Sequence, residues 1–145
     1  MKSASDIFRH KSKIEIRFAD IDAFNHVNNA RYLTYFEQAR IEYFNEIIGW
    51  NYDWSKQGII LARAEIDFIV PVNLNDEVYV HTRCSRLGKK SFDLEYKMTR
   101  KDANSEITVC SGKTVMVAFD YEMQKSIEIP DDWKKIIRSH EGMQD

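Results

Sequence analysis

The chain lacks most of the features that announce the commoner chemistries. Its two cysteines, Cys84 and Cys110, stand apart on strand-like segments without C-x-x-C spacing, so both read as small buried residues rather than a disulfide or a metal pair. The histidines at 10, 26, 81 and 140 show neither H-x-x-x-H nor H-E-x-x-H spacing, and no metal is expected. There is no G-x-S-x-G elbow and no G-x-G-x-x-G, which removes the simplest serine-hydrolase and dinucleotide readings. Gly112-Lys113-Thr114 resembles the end of a phosphate loop, but the glycine needed five residues earlier is Ile107 and the segment reads as strand interior. No apolar run approaches the roughly 20 residues of a membrane span, and the N-terminal MKSASDIFRHKSK has no apolar core of signal-peptide length. The cytoplasm is the expected compartment. A formal charge of -2 with both signs interleaved gives no net field toward nucleic acid or an anionic membrane, so any basic site must be local.

What is present is enough for one domain. At 145 residues, 43% hydrophobic and 30% charged, the chain supports a single domain over 1–145, with no repeat and no low-complexity segment. Alternation from Ile14 to Phe18 predicts a first strand ending near Ala19. From about Ala30 to Ile48, Leu33, Phe36, Phe44 and Ile47 recur at helical spacing, joined by Tyr32, Tyr35, Ala39, Tyr43 and Ile48; this predicts a helix buried around much of its circumference.

Past a linker containing Trp50, Tyr52 and Trp54, an acyl-pocket or core set, alternation places Ile60, Ala62, Ala64, Ile66, Phe68 and Val70 on one face, until Pro71 ends the ladder. The alanines let the helix approach closely, the favoured reading, or leave room for a ligand. Val78, Val80, Thr82 and Cys84, then Phe92, Leu94, Tyr96 and Met98, flank a turn at Leu87–Lys90 as a hairpin. A last long strand runs from about Ile107 to Phe119, and IPDDW opens a short C-terminal helix near 130–140. Short turns between the later strands make the sheet mostly antiparallel, hence an α+β architecture.

The stretch D-x-D-x-x-N-H-V-N-N-A-R-Y-L from Asp20, followed by Y-F-E-Q-A-R, and the later A-E-I-D-F-x-x-P-V from Ala64 resemble the hotdog-fold acyl-CoA thioesterases of the 4-hydroxybenzoyl-CoA thioesterase family. The resemblance implies a long central helix wrapped by a mostly antiparallel five-stranded sheet, hydrolysis of acyl-CoA thioesters without a cofactor, and a homodimer or a tetramer built as a dimer of dimers. It puts the catalytic acid at Asp22, as base or nucleophile, and the oxyanion-donating backbone amide at Asn29. The chemistry is coherent: exposed amides and the positive end of a helix dipole suit a carbonyl oxygen that gains negative charge.

His26 and Val27 fall among the substrate-binding residues; His26 orients Asp22, lines the pocket or satisfies a loop carbonyl. Asn25 stands where many members have glycine, and Asn tolerates left-handed geometry better than most residues. Asp20 reads as a structural turn acceptor. Arg31, a cation in the first helical turn, calls for an acid such as Asp20 or an anion, and Glu37 and Arg40 are spaced as a surface pair or a contact across subunits. Arg86, Lys89, Lys90 and Ser91 cluster at the hairpin turn where the family contacts nucleotide phosphates, although a basic turn also keeps a sheet edge soluble. A binding protein without turnover and a thioesterase for acyl carrier protein are the rival functions.

Overall fold

The structure, a computed structural model, describes residues 7–49 and 53–144; Trp50 and Tyr52 of the aromatic linker lie outside them. The elements are β1 (His10–Ile14), α1 (Arg31–Ile47), β2 (Gln57–Phe68), β3 (Val78–Leu87), β4 (Ser91–Asp102), β5 (Ser105–Asp120), β6 (Lys125–Ser126) and α2 (Asp131–Glu141). The sheet order is β1-β3-β4-β5-β2 with β6 added to β5, and every pairing is antiparallel. With α1 packed on one face of the curled sheet, this is the expected hotdog architecture.

Four expectations need correction. The first strand ends at Ile14 rather than near Ala19, because Phe18–Asp20 coil into a 3-10 turn that leaves Phe18 82% exposed. The true β1 begins earlier, with His10, Ser12 and Ile14 facing inward. α1 is buried along one side only: Tyr32, Tyr35, Phe36, Ala39, Tyr43 and Phe44 are covered, while Leu33 and Ile41 are exposed. The inward set on β2 is also different. A register shift between Leu61 and Arg63 makes Ala62 an extra residue, so Ile59 and Leu61 pair with the inward Ala118 and Met116, and Ala64, Ile66 and Phe68 continue the face beyond it. A one-residue bulge inverts alternation, which is why an unbroken pattern misassigned Ile60 and Ala62.

The alanines do not admit the helix either, since Ala62 and Ala64 are both exposed. The close approach is one strand further in, at Gly112 of β5, where a Cβ would stand 2.5 Å from the Phe36 ring. Phe36 in turn stacks on Tyr96 at 4.4 Å between ring centroids. Gly112 is thus strand interior, as expected, with its missing side chain giving Phe36 its place.

α2 starts after Pro130 with Asp131 and Asp132 in its first turn and closes on Gly142, whose φ is 70°. Acids at the start and a left-handed glycine at the end are the arrangement its sequence announces. The helix buries Trp133 and Ile137, and Trp133 packs on Trp54, centroids 5.3 Å apart. Cys84 and Cys110 are both buried free thiols, pushed by burial up to about 12.

α2 also carries an acid into the interior. The Glu141 side chain is 4% exposed, and its Oε2 accepts the Cys84 backbone N–H at 3.1 Å. Burial pushes this carboxyl up to about 7, with the Cys84 amide pulling the other way. A carboxyl whose folded pKa is raised favours the folded state while protonated. Its contribution is present below its ordinary value of 4.5, fades as pH rises to about 7, and above that the ionised group weakens the fold by on the order of 3 kcal/mol. Glu141→Gln should therefore gain stability over the parent in urea unfolding above pH 7 and lose that advantage near pH 4. His10, lowered by burial, gives the opposite slope in either chain; His140, also lowered by burial, lies 3.5 Å from Glu141 Oε1, so the comparison is made in a His140→Gln background, where the difference curve isolates Glu141. A difference independent of pH would refute the assignment.

Candidate active site

The polar segment between β1 and α1 is held by one buried acid. Oδ2 of Asp20 accepts the Arg17 backbone N–H at 3.0 Å and the Tyr35 hydroxyl at 2.7 Å, while Oδ1 accepts from the Arg17 guanidinium at 3.1 Å. Arg31 Nε lies 3.7 Å from the same Oδ1, so the cation in the first helical turn has the counter-charge its sequence position calls for. Burial alone would raise the Asp20 carboxyl, but the Arg17 amide, the Tyr35 hydroxyl and the Arg17 guanidinium outweigh it and hold it below the ordinary carboxylate range. Asp20 is the structural acceptor expected.

From this anchor the chain makes a short loop. Ile21 and Val27 form an antiparallel bridge, the Asp22 N–H donates to His26 O at 2.9 Å, and the Asn25 N–H donates to Asp22 O at 3.0 Å. Asn25 sits at φ 66°, the left-handed geometry that a glycine would also supply. The Val27 side chain is buried in the core and its N–H donates to Val72 O at 2.8 Å, which ties the loop to the segment after β2.

Asp22 is half-buried, and its two oxygens differ. Oδ1 accepts the Phe24 N–H at 2.9 Å and the His26 N–H at 3.4 Å, the local turn that aspartates commonly make. Oδ2 has no hydrogen-bond partner among the described residues. His26 therefore holds Asp22 through its backbone, and its ring is exposed.

The start of α1 shows a matching asymmetry. Asn28 Oδ1 accepts the Ala30 N–H at 2.9 Å, Asn28 O accepts the Arg31 N–H at 2.9 Å, and Asn29 O accepts the Tyr32 N–H at 3.4 Å. The Asn29 N–H has no acceptor among the described residues. One oxygen of Asp22, in the loop, and one amide at Asn29, at the helix start where orphan amides gather, are thus left unpaired among the described residues. Among the described residues no three His, Cys, Asp or Glu side chains converge as a metal site.

The hairpin turn is more committed than its sequence suggests. The Arg86 guanidinium donates to Asp93 Oδ1 and Ser91 Oγ, each at 2.9 Å, and Lys89 lies 3.3 Å from Glu128. The carbonyl of Lys89 accepts the Ile129 N–H and that of Lys90 accepts the Ala118 N–H. Lys90 is exposed and without an ion pair among the described residues.

A cavity of about 240 Å³, which the sequence does not announce, lies farther along α1 against β2 and β5. Its walls include Ile41, Phe44, Trp54, Leu61 and Met116. Trp54 both lines it and packs in the core. Only the bulge, which is invisible in the residue pattern, turns Leu61 toward it.

Comparison with known proteins agrees with the fold. A family model for the Thioesterase-like superfamily matches residues 16–137, and the chain belongs to that superfamily. A thioesterase from Thermus thermophilus, solved in complex with coenzyme A and zinc, is 33% identical with a TM-score of 0.79, covering 94% of this chain and 98% of that one. The Bacillus subtilis protein YsmA is 28% identical over 131 residues, 90% of this chain and 86% of its own. The long-chain acyl-CoA thioesterase FadM of Escherichia coli is 23% identical over 120 residues, covering 82% and 89% of the two chains. In fold, the chain also matches a mutant 4-hydroxybenzoyl-CoA thioesterase solved with 4-hydroxybenzoyl-CoA, with a TM-score of 0.80 at 18% identity.

The anchor can be tested separately from any chemistry. Asp20→Ala leaves the buried Tyr35 hydroxyl and the Arg17 amide without their acceptor, and should cost about 2–4 kcal/mol in urea unfolding at neutral pH. Tyr35→Phe should cost less, about 1 kcal/mol. Equal stability of the parent and Asp20→Ala would show that the loop is held by other contacts.

Proposed function

We propose that this protein hydrolyses acyl-CoA thioesters to the free acid and coenzyme A, with Asp22 as general base or nucleophile and the Asn29 backbone amide as oxyanion donor. The observation that carries the reading is the pair of unpaired groups just described: Asp22 Oδ2 and the Asn29 N–H. As base, Oδ2 takes a proton from water as the water oxygen attacks the thioester carbon. As nucleophile, it attacks that carbon itself and gives a mixed anhydride that water then opens. In both routes the carbonyl oxygen gains charge facing the N-terminal end of α1, and the coenzyme thiolate leaves and is protonated. The Thermus relative, solved with coenzyme A, and the acyl-CoA thioesterase FadM support the substrate class.

The active form in this proposal is a homodimer, alone or within a tetramer. Among the described residues β2 is an edge strand that pairs only with β5, and a long unpaired edge is a template for another strand. Phe18 and Phe24, at 82% and 80% exposure, flank Asp22 and would be covered by a second copy. The protein acts in the cytoplasm in this reading, without a nucleic-acid partner.

Asp22→Asn keeps the acceptor oxygen that the Phe24 and His26 amides use and removes the charge. Thiol release from acyl-CoA should fall by about 10²–10⁴-fold with little change in melting temperature. Near-normal turnover in the folded variant would sink the mechanism.

For the coenzyme half, Lys89 and Lys90 are the turn cations closest to solvent, Arg86 being tied to Asp93. Replacing both lysines by Glu should raise KM for acyl-CoA several-fold, with little effect on kcat and almost none on acyl-pantetheine. Equal losses on both substrates would make the turn a structural feature only.

A further inference from the structure

The last turn of α2 sits on a part of the sheet that neither the catalytic reading nor the proposed dimer uses. It packs on β3 and α1, and in the strand order β4 and β5 stand between β3 and the edge strand β2. β1 reaches only to His10, opposite Thr82. Beyond that point the Cys84 N–H goes to α2, where Glu141 Oε2 accepts it at 3.1 Å. The register of β3 on β4 shifts between Cys84 and Arg86, so the amide that Glu141 holds lies at a bulge, where a strand ladder leaves groups unpaired.

Around this one bond the titratable groups are crowded and poorly matched. The Glu141 side chain is 4% exposed, and its Oε1 has no hydrogen-bond partner among the described residues. His140 Nε2 lies 3.5 Å from that oxygen. The cations that approach are held elsewhere: Arg83 Nε donates to Glu95 Oε2 at 2.9 Å, and Arg9 donates to the His140 carbonyl at 2.6 Å. From α1, the buried Tyr43 hydroxyl faces Glu141, and burial and then the Glu141 charge raise it above its ordinary value. The Tyr43 ring meets His140 and His10 edge-on, centroids 5.4 and 5.7 Å away. His10 is 3.2 Å from Glu46, and Glu42 of the same helix also acts on it. A buried carboxylate with one neutral donor costs far more than the neutral acid in the same place.

We propose that the last turn of α2 is a proton-operated latch on β3, closed while Glu141 holds its proton and released when that proton is lost. Release carries the carboxylate to water and uncovers the Cys84 amide and the bulge beside it, while Trp133 and Ile137 keep the rest of α2 seated. The end of the helix can move by itself, because the N–H groups of Gly142 and Met143 both return to the single carbonyl of Arg138. Burial pushes the Glu141 carboxyl up to about 7, which puts the release in the neutral range. A carboxyl raised in the closed state favours that state at low pH and loses it as pH rises. His10 and His140 are lowered by burial, so both are already neutral there. The Cys84 thiol, pushed up to about 12, and the raised Tyr43 hydroxyl stay protonated, and Arg9 and Arg83 stay charged. Nothing in this device depends on the thioesterase reading.

The two buried thiols supply the test. Cys84 lines a cavity of about 310 Å³ with Glu141, Gly142 and Met143, so release of that turn uncovers its sulfur, whereas Cys110, buried on β5, reports general loosening. Burial pushes both thiols up to about 12, so the common rise of thiolate with pH cancels in the ratio of their labelling rates. Iodoacetamide pulses from about pH 5 to about pH 9, read by peptide mass spectrometry, should give a Cys84 to Cys110 ratio that is level at the acid end. Above about pH 7 it should climb by up to tenfold per pH unit. Glu141→Gln, neutral at every pH and still an acceptor for the Cys84 amide, should hold the ratio at its acid value throughout. Glu141→Ala, which lacks the acceptor, should hold it high throughout; if that chain does not fold, the Gln variant decides. A parent ratio that stays level, because neither thiol or both respond, would overturn the latch, as would the same climb in Glu141→Gln. Persistence of the climb in His140→Gln supports Glu141 as the group that titrates, and its disappearance there would move the sensor to His140 and overturn the assignment.

Discussion

The carboxylate of Asp20 is the contact on which the candidate site depends. A buried carboxylate is costly unless its lone pairs are used, and here the Arg17 amide and guanidinium and the Tyr35 hydroxyl use them. Tyr35 belongs to α1, so the bond fastens the loop to the helix it precedes. The Asp20 carbonyl accepts the Asn28 N–H at 2.8 Å, so the same residue fixes both the entry to the Asp22 loop and its exit into the helix. Asp22 and Asn29 are seven residues apart in sequence but are referred to one rigid point. Preorganisation of this sort is what the proposed chemistry requires, since an orphan amide and a free carboxylate oxygen would then act on one carbonyl without reorganisation.

The second determinant is where the helix touches the sheet. Gly112 admits the Phe36 ring, and the Phe36–Tyr96 stack seats α1 over β4 and β5. With the helix drawn to that side, β2 carries its inward side chains in the open, and the bulge at Ala62 sets which ones they are. Without the extra residue, Ile60 and Ala62 would face inward in place of Ile59 and Leu61, and the cavity would have a different wall. A single inserted position thus governs the wall of a cavity that lies farther along α1 from the Asp22 loop.

Much of the fold was legible because its signals are local. The period of α1, the hairpin of β3 and β4, the length of β5, and the proline, acids and glycine that bound α2 all lie within a few residues of what they specify. Asp20 as acceptor and Asn25 as a left-handed residue were legible for the same reason. The limits of β1, the bulge and the cavity were not. Ile14–Phe18 alternates as a strand does, but the buried Asp20 carboxylate captures the Arg17 amide and coils the chain there, a tertiary effect that no pattern carries. Alternation on β2 is real on either side of Ala62 and simply changes phase. The spacing of Ala62 and Ala64 was visible, yet whether a helix covers them was decided by a glycine on another strand.

The hairpin turn shows the same limit for charge. Four polar residues in six positions look like an anion site, but cross-strand partners decide how much positive charge remains. Asp93, opposite Arg86 in the register, takes its guanidinium, and Lys113 approaches the other Asp93 oxygen at 3.3 Å. Asp93 is buried and kept below the ordinary carboxylate range by those two cations, which outweigh the burial that would raise it. This is a structural ion cluster that stiffens the turn. Lys89 lies 3.3 Å from Glu128, so the charge left without an ion pair among the described residues is that of Lys90, a flexible point charge of the kind suited to phosphate. In the proposed function, a turn whose exposed Arg86 is tied to Asp93 would hold a phosphate loosely through its lysines, which leaves selectivity for the substrate to the acyl end of the molecule.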